Sequence, residues 1–334
     1  MRHYNIPIFI PELACPHQCI FCNQAKISGH TDIPQPEDIA NIVDSYLASF
    51  TATERIVDIA FFGGSFTGIE LSLQEQYLRV AYRYVQSNAV QGIRLSTRPD
   101  YISPQILDML QRYGVTCIEL GAQSVHPEVL AKSGRGHSVQ HIADAATMIR
   151  GYGIELGLQM MLGLPEDTKE RSLHTAREII RLGAQNTRIY PTLVIEDTAL
   201  AQRWRDGLYR PLSIAEAIDW AKDVYQLFLQ NNVTVLRTGL HPSEEFSKGK
   251  ALLAGPYHAS FKELMLTDIW KDNLAELDGQ QGKKLSISVA PNQLNYAIGY
   301  QQSNRKSLQA TWQSVHFHAL QSLSGYQMEV SSEY

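Results

Sequence analysis

Short apolar runs rich in β-branched residues alternate with longer amphipathic stretches over most of the chain. Strands are predicted over residues 6–10, 56–62, 92–97, 116–120, 155–162 and 187–193. Helices are predicted over 36–49, 71–86, 104–113, 139–151 and 169–182, followed by a helix over 214–231 and a seventh strand over 233–237. This alternation is typical of βα units around a parallel sheet. The chain is therefore predicted to be α/β, with a partial (β/α)6 TIM-like barrel over residues 1–240 and a C-terminal α+β extension over 241–334 that caps the barrel.

The amino-acid composition predicts in which cellular compartment the protein is found. The chain has 334 residues, 44% hydrophobic and 19% charged, which is enough to bury a large core. Three of its four cysteines lie in one cluster, which is not a disulfide framework, so a reducing cytoplasm is expected. The N-terminal apolar segment is interrupted by Pro7 and Pro11, which argues against a signal peptide, and no apolar run approaches membrane-spanning length.

The cysteine cluster is the strongest chemical signal. Three cysteines lie within the eight residues CPHQCIFC: Cys15, Cys19 and Cys22. Three thiolates can hold a four-iron cluster and leave one iron free for a reactive ligand. Zinc is the alternative, with His17 or His30 as a fourth ligand, although structural zinc sites usually include a second cysteine couple, which this chain lacks. Cys117 lies in the apolar run VTCIEL and is expected to be an inert core residue.

Small and polar residues follow the predicted strands. Paired glycines and a serine, Gly63-Gly64-Ser65, come after the second strand, where glycine lets a ligand approach the backbone closely. The third strand ends in STRPD and the fourth in ELGAQS, which KSGRGH follows. In parallel barrels the chemistry lies on the loops after the strands, and the cysteine cluster follows the first strand. This edge is therefore the expected cofactor site.

The C-x₃-C-x₂-C spacing resembles that of the radical S-adenosylmethionine (SAM) superfamily. The resemblance implies that SAM chelates the free iron of a [4Fe-4S] cluster whose ligands are Cys15, Cys19 and Cys22. It also implies that an electron, supplied by an external donor such as a flavodoxin or ferredoxin, cleaves SAM to a 5′-deoxyadenosyl radical. In this superfamily the residues after the second strand bind the SAM amine, a role that here falls to Gly63, Gly64 and Ser65.

A second resemblance assigns further SAM contacts. The twelve-residue step from Gln123 to Arg135 is similar to the spacing in oxygen-independent coproporphyrinogen oxidases. That similarity implies that Gln123 contacts the SAM ribose and Arg135 its carboxylate, for which a forked guanidinium is suited. Gln159, shortly before the Gly-Leu-Pro corner, holds the position from which that family also reaches the ribose, where an aspartate is more usual.

A third resemblance covers residues 10 to about 210. The ordered set GGSF, STRPD, ELGAQS, RGH, GLPED and RIYPTLVI, followed by Gly-Leu-Tyr, resembles the radical SAM domain of the catalytic subunit of Elongator, the tRNA wobble-uridine modifier. That subunit spaces its cysteines more widely and continues into an acetyltransferase domain. About ninety residues follow the predicted barrel here, short for such a domain, and they show no acetyl-CoA phosphate loop.

Three functions remain open from the sequence. The favoured one is a radical SAM enzyme of undetermined substrate, with an RNA base as the first expectation. The second is a heme-pathway enzyme or heme chaperone, and the third is a zinc-stabilised binding protein without catalysis. A formal net charge of −5 argues against strong sequence-independent nucleic-acid binding, although Asn304-Arg305-Lys306 is a candidate local patch beside its reading as an ordinary turn.

The C-terminal extension is the expected source of substrate specificity. It begins His241-Pro242-Ser243-Glu244-Glu245 and includes Gly255-Pro256-Tyr257-His258, whose acid, imidazole and phenol groups suit a substrate pocket or a hydrogen or proton donor. A solvated helix start with Ser243 as N-cap is the alternative. The sequence names no catalytic residue.

Overall fold

A computed structural model describes residues 2–10, 19–23, 26, 32–51, 55–240, 251–277 and 279–334 of the protein. The chain divides into two compact units, one made of residues 1–213 and 224–257 and the other of residues 214–223 and 258–334. The boundary after residue 240 stays a prediction.

The first unit contains these strands: β1 (Arg2–Ile10), β2 (Arg55–Gly63), β3 (Gly92–Thr97), β4 (Val115–Gln123), β5 (Glu155–Leu162), β6 (Asn186–Pro191), β7 (Val194–Ile195), β8 (Thr234–Thr238) and β9 (Leu252–Ala254). Seven of them form one parallel sheet in the order β1-β2-β3-β4-β5-β6-β8. β7 and β9 form a separate antiparallel pair. The curled parallel sheet confirms the predicted partial TIM-like barrel.

Eight α-helices of the described residues precede β8: α1 (Pro36–Ser49), α2 (Leu71–Gln86), α3 (Pro104–Arg112), α4 (Pro127–Lys132), α5 (Val139–Gly151), α6 (Lys169–Arg181), α7 (Ala199–Arg205) and α8 (Ile214–Gln230). Their starts follow from local chemistry, because Ser103 and Thr168 each accept a backbone N–H of the first turn of the helix that follows. The bounds of α1, α2 and α5 agree with the prediction, whereas the short helix α7 has no counterpart in it.

Burial explains why the strands read as apolar runs. One face of each central strand packs towards the helices, so Ile59, Leu95, Ile118, Leu158 and Ile189 have no exposed surface. β4 runs longer than predicted at its carboxyl end, because pairing with β5 resumes at Gln123 after a shift in register beyond Leu120.

The second unit has its own small sheet and core. It contains α9 (Phe261–Asn273), β10 (Gly282–Val289), α10 (Leu294–Ile298), α11 (Ser303–Leu308), β11 (Trp312–Ala319) and β12 (Met328–Glu333). The strands lie in the order β11-β10-β12, with β10 parallel to β11 and antiparallel to β12. Trp270, Trp312, Leu285, Ile287 and Val289 form its core. The predicted α+β character of the extension is confirmed.

Candidate active site

The carboxyl ends of the parallel strands meet at one edge of the barrel sheet, which we call the rim. Register pairs Ile10 with Gly63 at the end of β1 and β2, and Gln123 with Met160 farther around the sheet. The segments that follow β2, β3 and β4 therefore share this edge. Parallel barrels carry their chemistry at such an edge.

Two of the three predicted cluster ligands belong to the described residues. The backbone N–H of Cys22 donates to the carbonyl of Cys19 at 3.0 Å, which places the two cysteines in one tight turn. Ile20 ties this turn to the fold, because its N–H donates to Ser133 O at 3.1 Å and its carbonyl accepts from Leu200 N at 2.7 Å. Cys15, His17 and His30 lie outside the described residues, so the ligand set stays a prediction.

Apolar side chains surround the cysteine turn. Cys19 is 8% exposed and packs in a cluster with Phe21, Val129, Leu164 and Leu200, against which Cys22 also packs. Apolar surroundings of this kind limit the access of solvent to a metal centre and influence its electronic properties. Within the described residues, no three Cys, His, Asp or Glu side chains converge on a common metal position.

Arg135 joins the cysteine turn to the end of β4. Its Nη1 donates to Cys19 Sγ at 3.1 Å and its Nη2 donates to Gly121 O at 2.6 Å. The side chain is buried, and its Nε has no hydrogen-bond partner. The predicted contact between Arg135 and the SAM carboxylate stays a prediction, and both terminal nitrogens are engaged in this structure.

The Gly-Gly corner brings the ends of β1 and β2 unusually close. Gly63 has a φ of +104°, and a Cβ at this position would lie 2.4 Å from Ile10 O. The N–H of Gly64 donates to that same carbonyl at 2.7 Å, and Ser65 is buried beside it. Only glycine fits this backbone. The assignment of Gly63, Gly64 and Ser65 to the SAM amine stays a prediction.

Gln123 occupies a strained position at the end of β4. Its φ is +65°, an uncommon value for a residue other than glycine. Its Oε1 is buried without a hydrogen-bond partner. An unsatisfied acceptor costs free energy in the folded protein, so a ligand that supplies a donor is a natural explanation. The predicted ribose contact has this chemistry and stays a prediction.

Two further rim residues received no role from the sequence. Arg98, 3% exposed, donates from Nε and Nη2 to the carboxylate of Asp100 at 2.9 and 2.8 Å, while its Nη1 has no partner. Burial, together with the positive charges of Arg135 and Arg98, lowers the pKa of His137 to about 3. In the sequence, Arg98 and His137 can be found by their positions after predicted strands, in STRPD and RGH.

The imidazole of His137 is neutral at ordinary pH. Asp100 and the backbone of Ala122 act on its pKa in the opposite direction, but neither ring nitrogen reaches a partner with hydrogen-bond geometry. It is therefore a neutral group able to donate or accept.

Six buried polar atoms without partners lie at the end of β4 or on the segments after β3 and β4, while others, such as Arg94 Nε and Asn186 Oδ1, lie elsewhere in the described chain. The six are Arg98 Nη1, Gln123 Oε1, Ser133 Oγ, Arg135 Nε and both ring nitrogens of His137. Buried polar groups are nearly always satisfied in folded proteins, so these atoms need an explanation. A polar ligand at the rim, with donors and acceptors of its own, provides one. The donors of Arg98 and Arg135 suit a carboxylate such as that of SAM, and Gln123 Oε1 suits a ribose hydroxyl.

Below the rim, the barrel interior holds a paired ionic network. Glu119, which has no exposed surface, accepts from Arg188 at both carboxylate oxygens and lies 3.2 Å from Arg94 Nε. Burial opposes ionisation of Glu119, but the hydrogen bond from Arg188 and both arginine charges hold its pKa below the ordinary value. Glu119 is therefore a carboxylate at neutral pH.

Gln159 is oriented by this network. Its Nε2 donates to Glu119 Oε2 at 3.1 Å and to Ser96 Oγ at 3.2 Å. Because an ionised carboxylate can only accept, the NH₂ of Gln159 must face Glu119, which leaves Oε1 as the atom offered to a ligand. The predicted ribose contact of Gln159 stays a prediction.

Some candidate groups outside the barrel have structural partners. Asn304 and Arg305 lie in α11, not in a turn, because Asn304 is buried and donates to Thr267 O and Ala297 O, while Arg305 stacks on Phe317. His258 Nδ1 accepts from Ser260 N at 3.0 Å. Residues 241–245 lie outside the described residues.

Comparison with known proteins now decides the family. A profile described as the Radical SAM superfamily matches residues 10–179, and one described as the Radical_SAM C-terminal domain matches residues 184–271. The chain belongs to the radical SAM superfamily. The cysteine turn and the rim therefore lie in the part of this radical SAM protein that the superfamily profile matches.

One protein similar to this chain is named for tRNA modification. The chain is 26% identical over 244 residues to a tRNA uridine(34) acetyltransferase of Methanocaldococcus infernus, covering 61% of this chain and 46% of the relative. It is 37% identical over 122 residues to Elongator complex protein 3 of Schizosaccharomyces pombe, covering 36% and 22%. The chain thus spans less than half the length of either relative. The predicted resemblance to the radical SAM region of the Elongator catalytic subunit is confirmed.

A solved structure shows the same fold. Archaeal Elp3 from M. infernus superimposes with a TM-score of 0.65 at 20% identity, covering 81% of this chain and 63% of that one. At this identity the match establishes the fold alone. Among the described residues, no helix has both the length and the apolar character needed to cross a membrane.

Proposed function

We propose that this radical SAM protein binds a [4Fe-4S] cluster and SAM at the rim and uses them to generate a radical that acts on an RNA base. One observation carries the proposal most directly. The unpartnered buried atoms of Arg98, Gln123, Arg135 and His137 lie at the end of β4 or on the segments that follow β3 and β4 of a radical SAM domain, and Arg135 contacts Cys19.

The cluster would be held by Cys15, Cys19 and Cys22. When bound, cluster and SAM supply a one-electron cleavage that releases methionine and a 5′-deoxyadenosyl radical. The chain itself contributes exclusion of water, since Phe21, Leu164 and Leu200 close around the turn that bears Cys19. An external electron donor such as a flavodoxin or ferredoxin belongs to the same proposal.

The rim residues would orient SAM. The backbone at Gly63-Gly64-Ser65 would receive the amine, as the superfamily resemblance implies. Gln123 and Gln159 each offer an amide to the ribose. Arg98 is the proposed carboxylate contact, because its Nη1 is buried without a partner, whereas both terminal nitrogens of Arg135, the contact predicted from the sequence, already have protein partners.

An RNA base is the proposed substrate class because one of the two relatives described above is named for tRNA. That relative is called tRNA uridine(34) acetyltransferase, and it covers more than half of this chain. The acetyl-transfer activity in that name belongs to a protein of which this chain spans 46%. We therefore propose radical chemistry on a tRNA uridine and leave acetyl transfer out of the proposal.

SAM cleavage tests the first part of the proposal. The protein is reconstituted anaerobically with iron and sulfide, reduced in the presence of SAM, and assayed for 5′-deoxyadenosine. Single alanine substitutions of Cys15, Cys19 or Cys22 should each abolish that product.

Cys117→Ser is the matched control. Cys117 is buried, accepts from Arg94 Nη2 at 3.1 Å, and has a pKa that burial raises to about 12, so it is a thiol at neutral pH. A serine preserves the acceptor, and the variant should retain the product. If Cys117→Ser removes cluster and product as fully as the other three changes, the ligand assignment is wrong.

RNA dependence tests the substrate class. 5′-Deoxyadenosine formation is compared with no RNA, with a tRNA transcript that carries uridine at position 34, and with the same transcript carrying another base there. We expect the uridine transcript to stimulate SAM cleavage several-fold over both controls. Equal rates in the three reactions would exclude a tRNA uridine as the substrate.

The two alternatives receive no specific support. They are not favoured, because the superfamily profile matches residues 10–179 and a tRNA-modifying relative aligns with 61% of the chain. Metal analysis would still reveal a zinc protein directly, as one zinc per chain without iron or sulfide. Binding of heme by the purified protein would favour the heme alternative.

A further inference from the structure

The guanidinium of Arg135 makes an unusual contact. Its Nη1 donates to Cys19 Sγ at 3.1 Å, across 116 residues of sequence. Its Nη2 donates to Gly121 O at 2.6 Å, which fixes the plane of the group against the end of β4. The contact with sulfur is therefore held from both sides, by the cysteine turn and by the sheet.

Burial makes this contact electrostatically strong. Arg135 is 7% exposed and Cys19 is 8% exposed, so little water screens the charge of the guanidinium at the sulfur atom. Arg98 is the other cation of the rim, but its charge is paired with Asp100 at 2.8 Å. Within the described part of the chain, Arg135 has no carboxylate at ion-pair distance.

We propose that Arg135 is a positioning residue that hydrogen-bonds the thiolate of Cys19 in the cluster-bound protein and raises the reduction potential of the cluster. The proposal rests on the proposed function. Reduction adds one electron from an external donor and breaks no bond, so the cluster and its thiolates gain one negative charge. An N–H donor and a positive charge beside a ligand sulfur stabilise the reduced form more than the oxidised form.

The role differs from a contact with SAM. Both terminal nitrogens of Arg135 already have partners on the protein, so a forked grip on the SAM carboxylate would require the loss of both contacts. A guanidinium that acts on the thiolate changes the cluster whether or not SAM is bound. A guanidinium that binds the SAM carboxylate would affect the protein only when SAM is present.

The test is a potentiometric titration of the anaerobically reconstituted protein, followed by electron paramagnetic resonance of the reduced cluster. It is run without SAM on wild type, Arg135→Gln and Arg135→Lys. Arg135→Gln removes the charge, and we expect the equilibrium constant for reduction to fall about tenfold, a shift of about 59 mV for a one-electron couple. Arg135→Lys keeps a charge and a donor and should lie between the other two.

Arg181→Gln controls for the loss of one positive charge. Arg181 is an exposed residue of α6 that pairs with Glu178, and its substitution should leave the midpoint unchanged. Iron and sulfide content and circular dichroism are measured on every variant.

Each other result overturns the proposal. A midpoint for Arg135→Gln equal to that of wild type, with weaker SAM binding, would assign Arg135 to the carboxylate alone. Loss of the cluster from both variants at unchanged circular dichroism would show that Arg135 builds the site and does not tune it. If wild type takes up no cluster, the proposed function itself fails, whereas a wild type that loads and cleaves SAM with an unshifted variant contradicts only the role of Arg135.

Discussion

Glu119 in the barrel interior and Gln123 and His137 at the rim are all polar and buried, but they differ in how their hydrogen-bonding atoms are satisfied, although Arg94 Nε of the interior also lacks a hydrogen-bond partner. In the interior, Glu119 pairs with Arg94 and Arg188, and both of its oxygens accept hydrogen bonds. At the rim, Gln123 and His137 hold polar atoms that have no partner. The difference separates polar groups that have partners within the fold from polar groups that a ligand would satisfy. A buried polar group without a partner destabilises the folded protein unless a ligand binds to it.

The comparison predicts that interior changes damage stability and rim changes damage binding. Glu119→Gln removes the carboxylate between two buried arginines. Breaking a buried pair in this way typically costs about 3–5 kcal/mol, because it leaves uncompensated charge. We expect urea unfolding to show a loss of this size, the largest among the changes considered.

Glu178→Gln is the matched control for the interior pair. Glu178 pairs with Arg181 on the exposed side of α6, where an ion pair is worth about 1 kcal/mol or less. Similar losses for the Glu119 and Glu178 variants would mean that the interior network is not a structural element.

Gly63→Ala tests the tight approach of β1 and β2. Its Cβ would meet Ile10 O at 2.4 Å, in a backbone region that already disfavours side chains. Strain and collision together should cost about 2–4 kcal/mol. Equilibrium unfolding measures the cost, and SAM binding to the cluster-loaded protein should fall as well because the corner must move.

Gly153→Ala separates strain from collision. Gly153 also has a positive φ, of +70°, but a Cβ there would meet no atom within 4 Å. It should cost about 1 kcal/mol and leave SAM binding unchanged. Equal costs at the two glycines would show that Ile10 moves aside easily and that the corner is not rigid.

His137 links the rim to pH. Burial, with the charges of Arg135 and Arg98, lowers its pKa to about 3, so the unfolded chain binds a proton here between about pH 6.5 and 3 while the folded protein does not. The folded state therefore loses stability as pH falls through this window. At pH 5 the loss amounts to about 2 kcal/mol.

His137→Gln should remove this acid sensitivity. The difference in unfolding free energy between variant and wild type is measured from pH 7.5 to pH 5, and it should shift in favour of the variant by about 2 kcal/mol as pH falls. A difference that stays constant over this range would show that His137 is not held neutral by its surroundings.

Local sequence patterns were enough to predict the fold but not the contacts of the site. The βα alternation predicted all seven strands of the parallel sheet, because the central strands bury an apolar face and therefore read as apolar runs, whereas β8 is only partly buried. Loop positions after strands also identified STRPD and RGH as part of the rim. The contact of Arg135 with Cys19 and the pair of Arg188 with Glu119 span 116 and 69 residues, and no local pattern encodes such pairings.

Gln123→Met is expected to change stability least of all these substitutions, and it is the most direct test of the difference between the interior and the rim. The Oε1 of Gln123 has no partner, so replacing the amide by an apolar side chain of similar shape should change the free energy of unfolding by less than about 1 kcal/mol. SAM affinity should nevertheless fall about tenfold, the usual value of one hydrogen bond to a ligand, as measured by calorimetry on the cluster-loaded protein. If the variant unfolds as easily as Glu119→Gln while binding SAM normally, the unpartnered rim atoms belong to the fold, and the division between interior and rim does not hold. A stable variant with weakened SAM binding would place the SAM site at Gln123, whose Oε1 has no partner within the protein.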